Sequence, residues 1–357
     1  MPEIKITHSN ESRISEVDFN SIPFGRICTD HMASVDFING AWTNFEIKPV
    51  EPLSLHPTNM TLHYGQSIFE GMKASVTVDG TPMLMRPELH AQRFNASAVR
   101  MCMPEFPEDM YVEMIYKLVS LDRAWIPPIS GSSLYIRPFM IATDENVGVR
   151  ASHSYKFMIL TLPVGPYYGR PIALTTSTDH VRAVDGGVGE AKCAGNYAAA
   201  LYPAKLANER GYDQVLWLDA HEFKYVQEVG TMNIFFVIGN KVITPATSGS
   251  ILKGITRMNI IEILKVEKGI EVEEREITID EIVAAHADGS LVEVFGSGTA
   301  ALIANVKRIA HAGQVMELDP DKFDISLFIK DKINGLRDGT IKDTYGWMMP
   351  ITEDVMV

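Results

Sequence analysis

The chain has 357 residues, more than one ordinary core organises, so two domains are expected. Charged residues make up 22% and hydrophobic ones 46%, and the net charge of −13 argues against nucleic acid and anionic membrane surfaces as partners. The cysteines, Cys28, Cys102 and Cys193, are odd in number and widely spaced, which excludes a disulfide framework or a zinc site and points to a reducing compartment.

The N-terminal run MPEIKITHSNESRISEVDF has no apolar stretch for a signal peptide, and it carries acids unlike a transit peptide. No apolar run approaches the roughly 18 residues that span a bilayer. A cytoplasmic protein with no membrane partner is expected. SVTV (75–78) and TPMLMR (81–86) flank Asp79-Gly80, a hairpin signal. Pro87 opens a helix through Arg100, with Leu89, Phe94, Ala98 and Met101 at helical spacing. A second helix is expected from Pro107 to about Trp125. The β-rich runs SLYIRPFMI (133–141) and YKFMILTL (155–162) follow.

PVGPYYGRP (163–171) holds three prolines and two glycines in nine residues and reads as a connection between domains 1–162 and 172–357. Beyond it come strand 172–177, a glycine-lysine run, a helix over 196–209 and the strand QVLWLD (214–219). NIFFVI and KVIT form a hairpin around Gly239-Asn240. Helices near 256–267 and 278–286 and the strand LVEVF (291–295) complete the pattern. Hairpins outnumber clear βαβ units, so two α+β domains are favoured over a doubly wound parallel sheet.

The densest signal is GGVGEAKCAGNY (186–197). Four glycines surround Lys192, and Tyr197 follows. Glycines let backbone approach a ligand closely. A lysine held out of bulk water can lose its proton and attack a carbonyl, as a Schiff-base lysine does. The alternative is a solvated surface lysine. Two segments could bind an anion. Gly254 precedes a helix, leaving the N–H groups of Ile255 and Thr256 available, with the Thr256 hydroxyl beside them. Plain helix capping is the alternative. In GSGTA (296–300), Gly296 and Gly298 permit a tight turn whose N–H groups converge, with Thr299 adding a hydroxyl. An ordinary strand-to-helix turn is the alternative. Neither segment matches a Walker loop or a dinucleotide fingerprint. Two anion signals and one lysine point to pyridoxal phosphate. Its pyridine nitrogen needs an acid, and Glu228 in QEVGTMN (227–233) is the candidate, against a solvent-facing glutamate near a turn.

These residues sit in motifs that resemble the branched-chain amino-acid aminotransferases, class IV pyridoxal-phosphate enzymes of fold type IV. The resemblance runs from FGRICTDHM (24–32) through YGQSIFEGMKA (64–74), LHAQRFNASAVRMCMP (89–104), LYIRPF (134–139), PVGPYY (163–168), GGVGEAKCAGNY, GYDQVLWLD (211–219), EVGTMNIFF (228–236) and LKGITR to GSGTA, in the family's order. It implies a D-amino-acid-aminotransferase-like fold, with a smaller N-terminal α/β domain and a larger C-terminal domain carrying the lysine. Lys192 resembles the lysine that forms the internal aldimine and shuttles the proton. Tyr197 would bond the cofactor's phenolic oxygen, Glu228 the pyridinium nitrogen, and Arg93 the phosphate. Ile255, Thr256 and Thr299 would complete the phosphate cradle, and Thr231 and Ala300 would contact substrate or cofactor. The substrate pocket would include Phe24, Tyr64, Phe69, Tyr135, Arg137 and Tyr167, aromatic walls for a branched aliphatic side chain. The resemblance implies a homodimer whose segment TDENVGV (143–149) reaches the partner's site. One departure is clear: AALIANV (300–306) stands where some relatives carry a CxxC redox pair, so that control is expected to be absent.

The implied reaction is ping-pong transamination of L-leucine, L-isoleucine and L-valine with 2-oxoglutarate, giving 2-oxo acids and L-glutamate. No metal is implied. The rivals are a D-amino-acid aminotransferase or aminodeoxychorismate lyase of the same fold type, and a catalytically silent binding protein.

Overall fold

A computed structural model describes residues 2–129 and 131–352. The chain divides into two compact units, each built on its own nine-stranded sheet.

Unit 1 takes residues up to Tyr167, the short stretch Ala191–Ala194, and the chain from Ile333 on. Its strands are β1 (Lys5–Ile6), β2 (His31–Ile38), β3 (Ala41–Pro49), β4 (Ser67–Phe69), β5 (Met72–Val76), β6 (Pro82–Met85), β7 (Ser133–Ala142) and β8 (Tyr155–Val164). Its helices are α1 (Met60–Tyr64), α2 (Pro87–Arg100) and α3 (Glu108–Leu121). The sheet is antiparallel apart from β1 against β3. The expected hairpin at Asp79-Gly80 joins β5 to β6, with Gly80 at φ +88°. Pro87 opens α2 because its missing N–H costs nothing in a first turn. The helix expected to reach Trp125 stops at Leu121, and Arg123–Trp125 tighten into a 3₁₀ turn. Asn95 of α2 bonds both the N–H and the C=O of Phe106 at 2.9 Å, closing the link to α3. Phe106 stacks on Phe157 at 4.0 Å, and Phe94 and Tyr111 pack around that pair.

Unit 2 takes Tyr168–Glu190 and Gly195–Lys332. Its strands are β9 (Ile172–Thr176), β10 (Gln214–Leu218), β11 (Val226–Val229), β12 (Asn233–Ile238), β13 (Lys241–Thr244), β14 (Glu273–Glu274), β15 (Leu291–Gly298), β16 (Leu302–His311) and β17 (Gln314–Glu317). Its helices are α4 (Ala194–Glu209), α5 (Ile255–Ile263), α6 (Ile279–Ala287) and the start of α7 (Ile325–Arg337). β9 is parallel to β10 and β16, whereas β12 pairs antiparallel with β13 and β15. The helix expected over 256–267 is α-helical only to Ile263 and then widens into a π-turn, Leu264–Lys268, closed by Gly269 at φ +65°.

One local expectation is overturned. Gly296 and Gly298 do not make a turn: both lie in β15, and the turn falls at 299–301 between β15 and β16. Their small size serves packing instead. A Cβ at Gly296 would meet Met232 at 2.9 Å, and one at Gly298 would meet it at 3.3 Å.

The chain returns to unit 1 with β18 (Met348–Pro350), which pairs with β6. Unit 1 thus joins the N-terminal residues to the last stretch of the chain. Residues 191–194 also belong to unit 1, because the Ile68–Cys193 bridge and the bond from Phe69 N–H to the Lys192 carbonyl tie them to β4.

Candidate active site

In unit 1 the site is built from β4, β7, α2 and the lysine segment. Lys192 is clipped on both sides of its backbone: its carbonyl accepts from Phe69 N–H at 3.0 Å, and its N–H donates to Ser97 Oγ at 3.0 Å. Lys192 Nζ lies 4.7 Å from the Phe69 ring centre, and the Arg137 guanidinium lies 4.5 Å from the same centre. Cations within about 6 Å of a ring are attracted to its face. Arg137 Nη2 donates to Tyr135 Oη at 3.0 Å, while its buried Nε has no hydrogen-bond partner. Tyr135 needs Gly71, where a Cβ would fall 2.1 Å from the tyrosine oxygen. Phe24 packs edge-on against Tyr135 at 5.4 Å and Tyr167 at 4.9 Å. Phe24, Phe69, Tyr135, Arg137 and Tyr167 thus form one chain of ring contacts that ends at Lys192. Tyr64 lies outside it: its hydroxyl donates to the Val147 carbonyl.

Arg93 is held by a residue that sequence reasoning missed. Its Nε and Nη2 donate to the two oxygens of Glu70 at 2.6 and 2.9 Å. Glu70 is fully buried. His90, one turn before Arg93 on α2, meets Glu70 Oε2 at 2.8 Å. Burial pushes the Glu70 carboxyl up, but Arg93 and His90 together hold it well below the usual carboxylate range. Burial lowers His90 despite the opposing pull of Glu70, so the imidazole is neutral at pH 7 and its Nδ1–H donates. His90, Arg93 and Ser97 share one face of α2, three and four residues apart. EGMKA and LHAQRF each showed one half of this cluster, but no spacing pairs Glu70 with a helix 20 residues on.

In unit 2, Glu228 lies inside β11 and is 3% exposed, not a solvent-facing turn residue. Its Oε1 accepts from Asn233 Nδ2 and Leu252 N–H, each at 3.1 Å. Its Oε2 lies 2.9 Å from Arg182 Nε, a charge contact rather than an aligned hydrogen bond. Sequence reading missed Arg182 and Asn233. α5 begins at Ile255 and Thr256 behind Gly254, with no side-chain cap, so its first N–H groups are not taken up by a capping side chain. Thr299 and Ala300 occupy the β15–β16 turn, and Thr231 the exposed turn between β11 and β12. Tyr197 lies in the first turn of α4. The glycine run packs tightly, since a Cβ at Gly189 would sit 2.7 Å from the Ser250 carbonyl, and Asn196 Nδ2 donates to the Val188 carbonyl at 2.7 Å.

Each unit by itself carries groups of the kind pyridoxal phosphate requires. Unit 1 offers an amine at Lys192, a bidentate-locked guanidinium at Arg93 and a buried guanidinium N–H at Arg137. Unit 2 offers a buried acid for a ring nitrogen and an uncapped helix start for a phosphate.

Comparison with known proteins agrees. The family model for class IV amino-transferases matches residues 67–309. Branched-chain-amino-acid transaminase 1 of Bacillus subtilis (strain 168) is 47% identical over 340 residues, covering 94% of this chain and 95% of its own. Branched-chain-amino-acid aminotransferase 2 of the same organism is 45% identical over 335 residues, covering 92% of each chain. Among solved structures, the T.th. branched-chain amino acid aminotransferase complexed with N-(5'-phosphopyridoxyl)-L-glutamate superimposes with a TM-score of 0.70 at 27% identity, covering 90% of this chain and 99% of that one.

Proposed function

Because the chain belongs to the class IV aminotransferases, and within them to the branched-chain-amino-acid aminotransferases, we propose that it moves the amino group of L-leucine, L-isoleucine and L-valine to 2-oxoglutarate. The products are the branched-chain 2-oxo acids and L-glutamate. The family depends on pyridoxal phosphate. The observation that carries the reading lies within unit 1: the Lys192 amine and the Arg137 guanidinium lie 4.7 and 4.5 Å from the centre of one ring, Phe69, beside the aromatic cluster of Tyr135, Phe24 and Tyr167.

Arg93, the N–H groups of Ile255 and Thr256, and Thr299 would hold the cofactor phosphate, Tyr197 its phenolic oxygen and Glu228 its ring nitrogen, with Thr231 beside them. Bound there, the cofactor supplies an aldehyde that exchanges amines and a ring that takes up the electron pair released at the α-carbon. Lys192 Nζ removes the α-proton and holds it for return. Glu228, fixed by Arg182, keeps a proton on the ring nitrogen. Phe24, Phe69, Tyr135 and Tyr167 give the aliphatic side chain an apolar wall, with Tyr64 and Ala300 completing the pocket. The Arg137 guanidinium suits the distal carboxylate of 2-oxoglutarate, which lets one pocket take both substrates.

We also read the protein as a cytoplasmic homodimer joined partly through 143–149, with 163–171 as the connection between domains. Exposed Leu62, Val147 and Val149 near that segment support the dimer, which the mass in solution tests. Among the described residues no helix is long and apolar enough to cross a membrane.

Lys192→Ala is expected to abolish both turnover and the absorbance band of the lysine-linked cofactor. Retention of both sinks the reading. L-Leucine is expected to be a substrate where D-alanine and aminodeoxychorismate are not.

A further inference from the structure

Unit 2 places one buried amide where three segments meet. Asn233 opens β12 and is 6% exposed. Its Nδ2 donates to Glu228 Oε1 at 3.1 Å and to the Leu252 carbonyl at 2.9 Å. Both partners only accept, so the amide can point its nitrogen one way alone. Leu252 N–H closes the triangle by donating to the same Glu228 oxygen at 3.1 Å. Asn233 Oδ1 faces the other way, towards the start of α5. A Cβ at Gly254 would lie 1.9 Å from that oxygen, so the amide fits only because residue 254 has no side chain. In the sheet, Asn233 is the register partner of Ser297, two residues before Thr299. The backbone ladder from Asn233 to Ile238 holds β12 against β15 without help from this side chain.

We propose that Asn233 is a positioning residue that couples the acid serving the ring nitrogen to the helix start serving the phosphate. The inference rests on the roles given above to Glu228 and Thr256. One side chain helps Arg182 and the Leu252 N–H orient the Glu228 carboxylate, and it tethers the 252–254 loop from which α5 springs. Removing it loosens both at once. A residue acting only through fold stability would lower the melting temperature and leave the two ends of the cofactor site unchanged in relative strength.

The test is equilibrium binding of pyridoxal phosphate, and of pyridoxal, which lacks the phosphate, to wild type, Thr256→Ala, Glu228→Gln and Asn233→Ala. Two readouts are taken: the ratio of the two affinities, and the pH titration of the bound chromophore's absorbance. Thr256→Ala is expected to lower the affinity ratio alone, and Glu228→Gln to shift the pH titration alone. Asn233→Ala is expected to do both, with the ratio falling at least tenfold. A folded Asn233→Ala that moves neither readout, or only one, overturns the proposal. Should that variant fail to fold, Asn233→Asp keeps the shape but sets an acceptor against two acceptors, and the same two changes are required of it. If Thr256→Ala and Glu228→Gln themselves leave both readouts at wild-type values, the cofactor roles fall, and this inference falls with them.

Discussion

Glu70 has no exposed surface, yet it is ionised, and both facts follow from its partners. A carboxyl taken out of water is pushed towards neutrality, so the charge persists only because Arg93 grips both oxygens and His90 donates to one. Glu70→Gln keeps the shape and removes the charge, leaving Arg93 buried beside a neutral amide. The expected loss is about 3–5 kcal/mol of unfolding free energy, read from urea titration. The pH dependence has a fixed sign. The folded carboxyl titrates below its ordinary value of 4.5, so its stabilisation is complete above that pH and is lost as pH falls below it. Wild type should weaken on acidification below about pH 4.5 more steeply than Glu70→Gln, and equal slopes would count against the ion pair. Lys192 and Glu228 could be singled out because each stands in a short local motif, four glycines around Lys192 and QEVGTMN around Glu228, whose residues are neighbours in sequence. Glu70, Arg182 and Asn233 were not, because a partner held in place by the fold leaves no mark in the local spacing. Arg93 was legible as a charge but not as one already engaged by a carboxylate.

Helix α2 shows what periodicity can and cannot read. Its bounds, Pro87 to Arg100, follow from the proline at the first position and the end of the apolar spacing. Its buried face follows in part: Phe94 and Ala98 are fully buried as the spacing implies, but Leu89 is only half-buried and the polar His90, Asn95 and Ser97 are inside. Apolar spacing finds the oily part of that face and misses the part buried for its hydrogen bonds. The strand β15 makes the complementary point. Glycines look like turn formers in sequence, and Gly296 and Gly298 are strand residues cut small for Met232. That geometry predicts an order of tolerance. Gly296→Ala meets the far end of a flexible methionine at 2.9 Å, which can swing away, and the Val229 methyl at 3.1 Å, which must give slightly, so a cost of about 1 kcal/mol is expected. Gly254→Ala meets the amide oxygen of Asn233, which two hydrogen bonds hold in place. It is expected to cost about 1–3 kcal/mol and to weaken cofactor binding as well. Thermal unfolding of the two variants side by side checks the order, and a reversed order would show that Asn233 is free to move.

The division into two units was visible in the linear sequence only as a proline-rich break near 163–171, and the structure places the change at Tyr167–Tyr168. What the line could not show is the return of the chain from Ile333 to unit 1, because strand pairing across more than 250 residues leaves no local mark. The returning stretch is substantial. β18 extends the first sheet beyond β6, Trp347 stacks on Tyr345 at 4.2 Å and carries the Arg86 guanidinium at 5.0 Å, and Arg86 N–H donates to the Trp347 carbonyl at 2.8 Å. Ile333, Leu336, Trp347 and Ile351 are all at most 5% exposed. Burying one such side chain contributes about 1.5–3 kcal/mol, and a domain is stable by only about 5–15 kcal/mol in all. Four of them together match that margin, even after allowing for a denatured chain that already buries part of its surface. A chain stopped at Lys332 should therefore lose the cooperative unfolding of unit 1, with proteolysis cutting first in residues 2–167. Unit 2 keeps its own sheet and core, including Phe235 stacked on Phe295 at 5.2 Å, and its transition should persist in the calorimetric trace. A truncated chain that retains both transitions would show that the first sheet closes without its last strand.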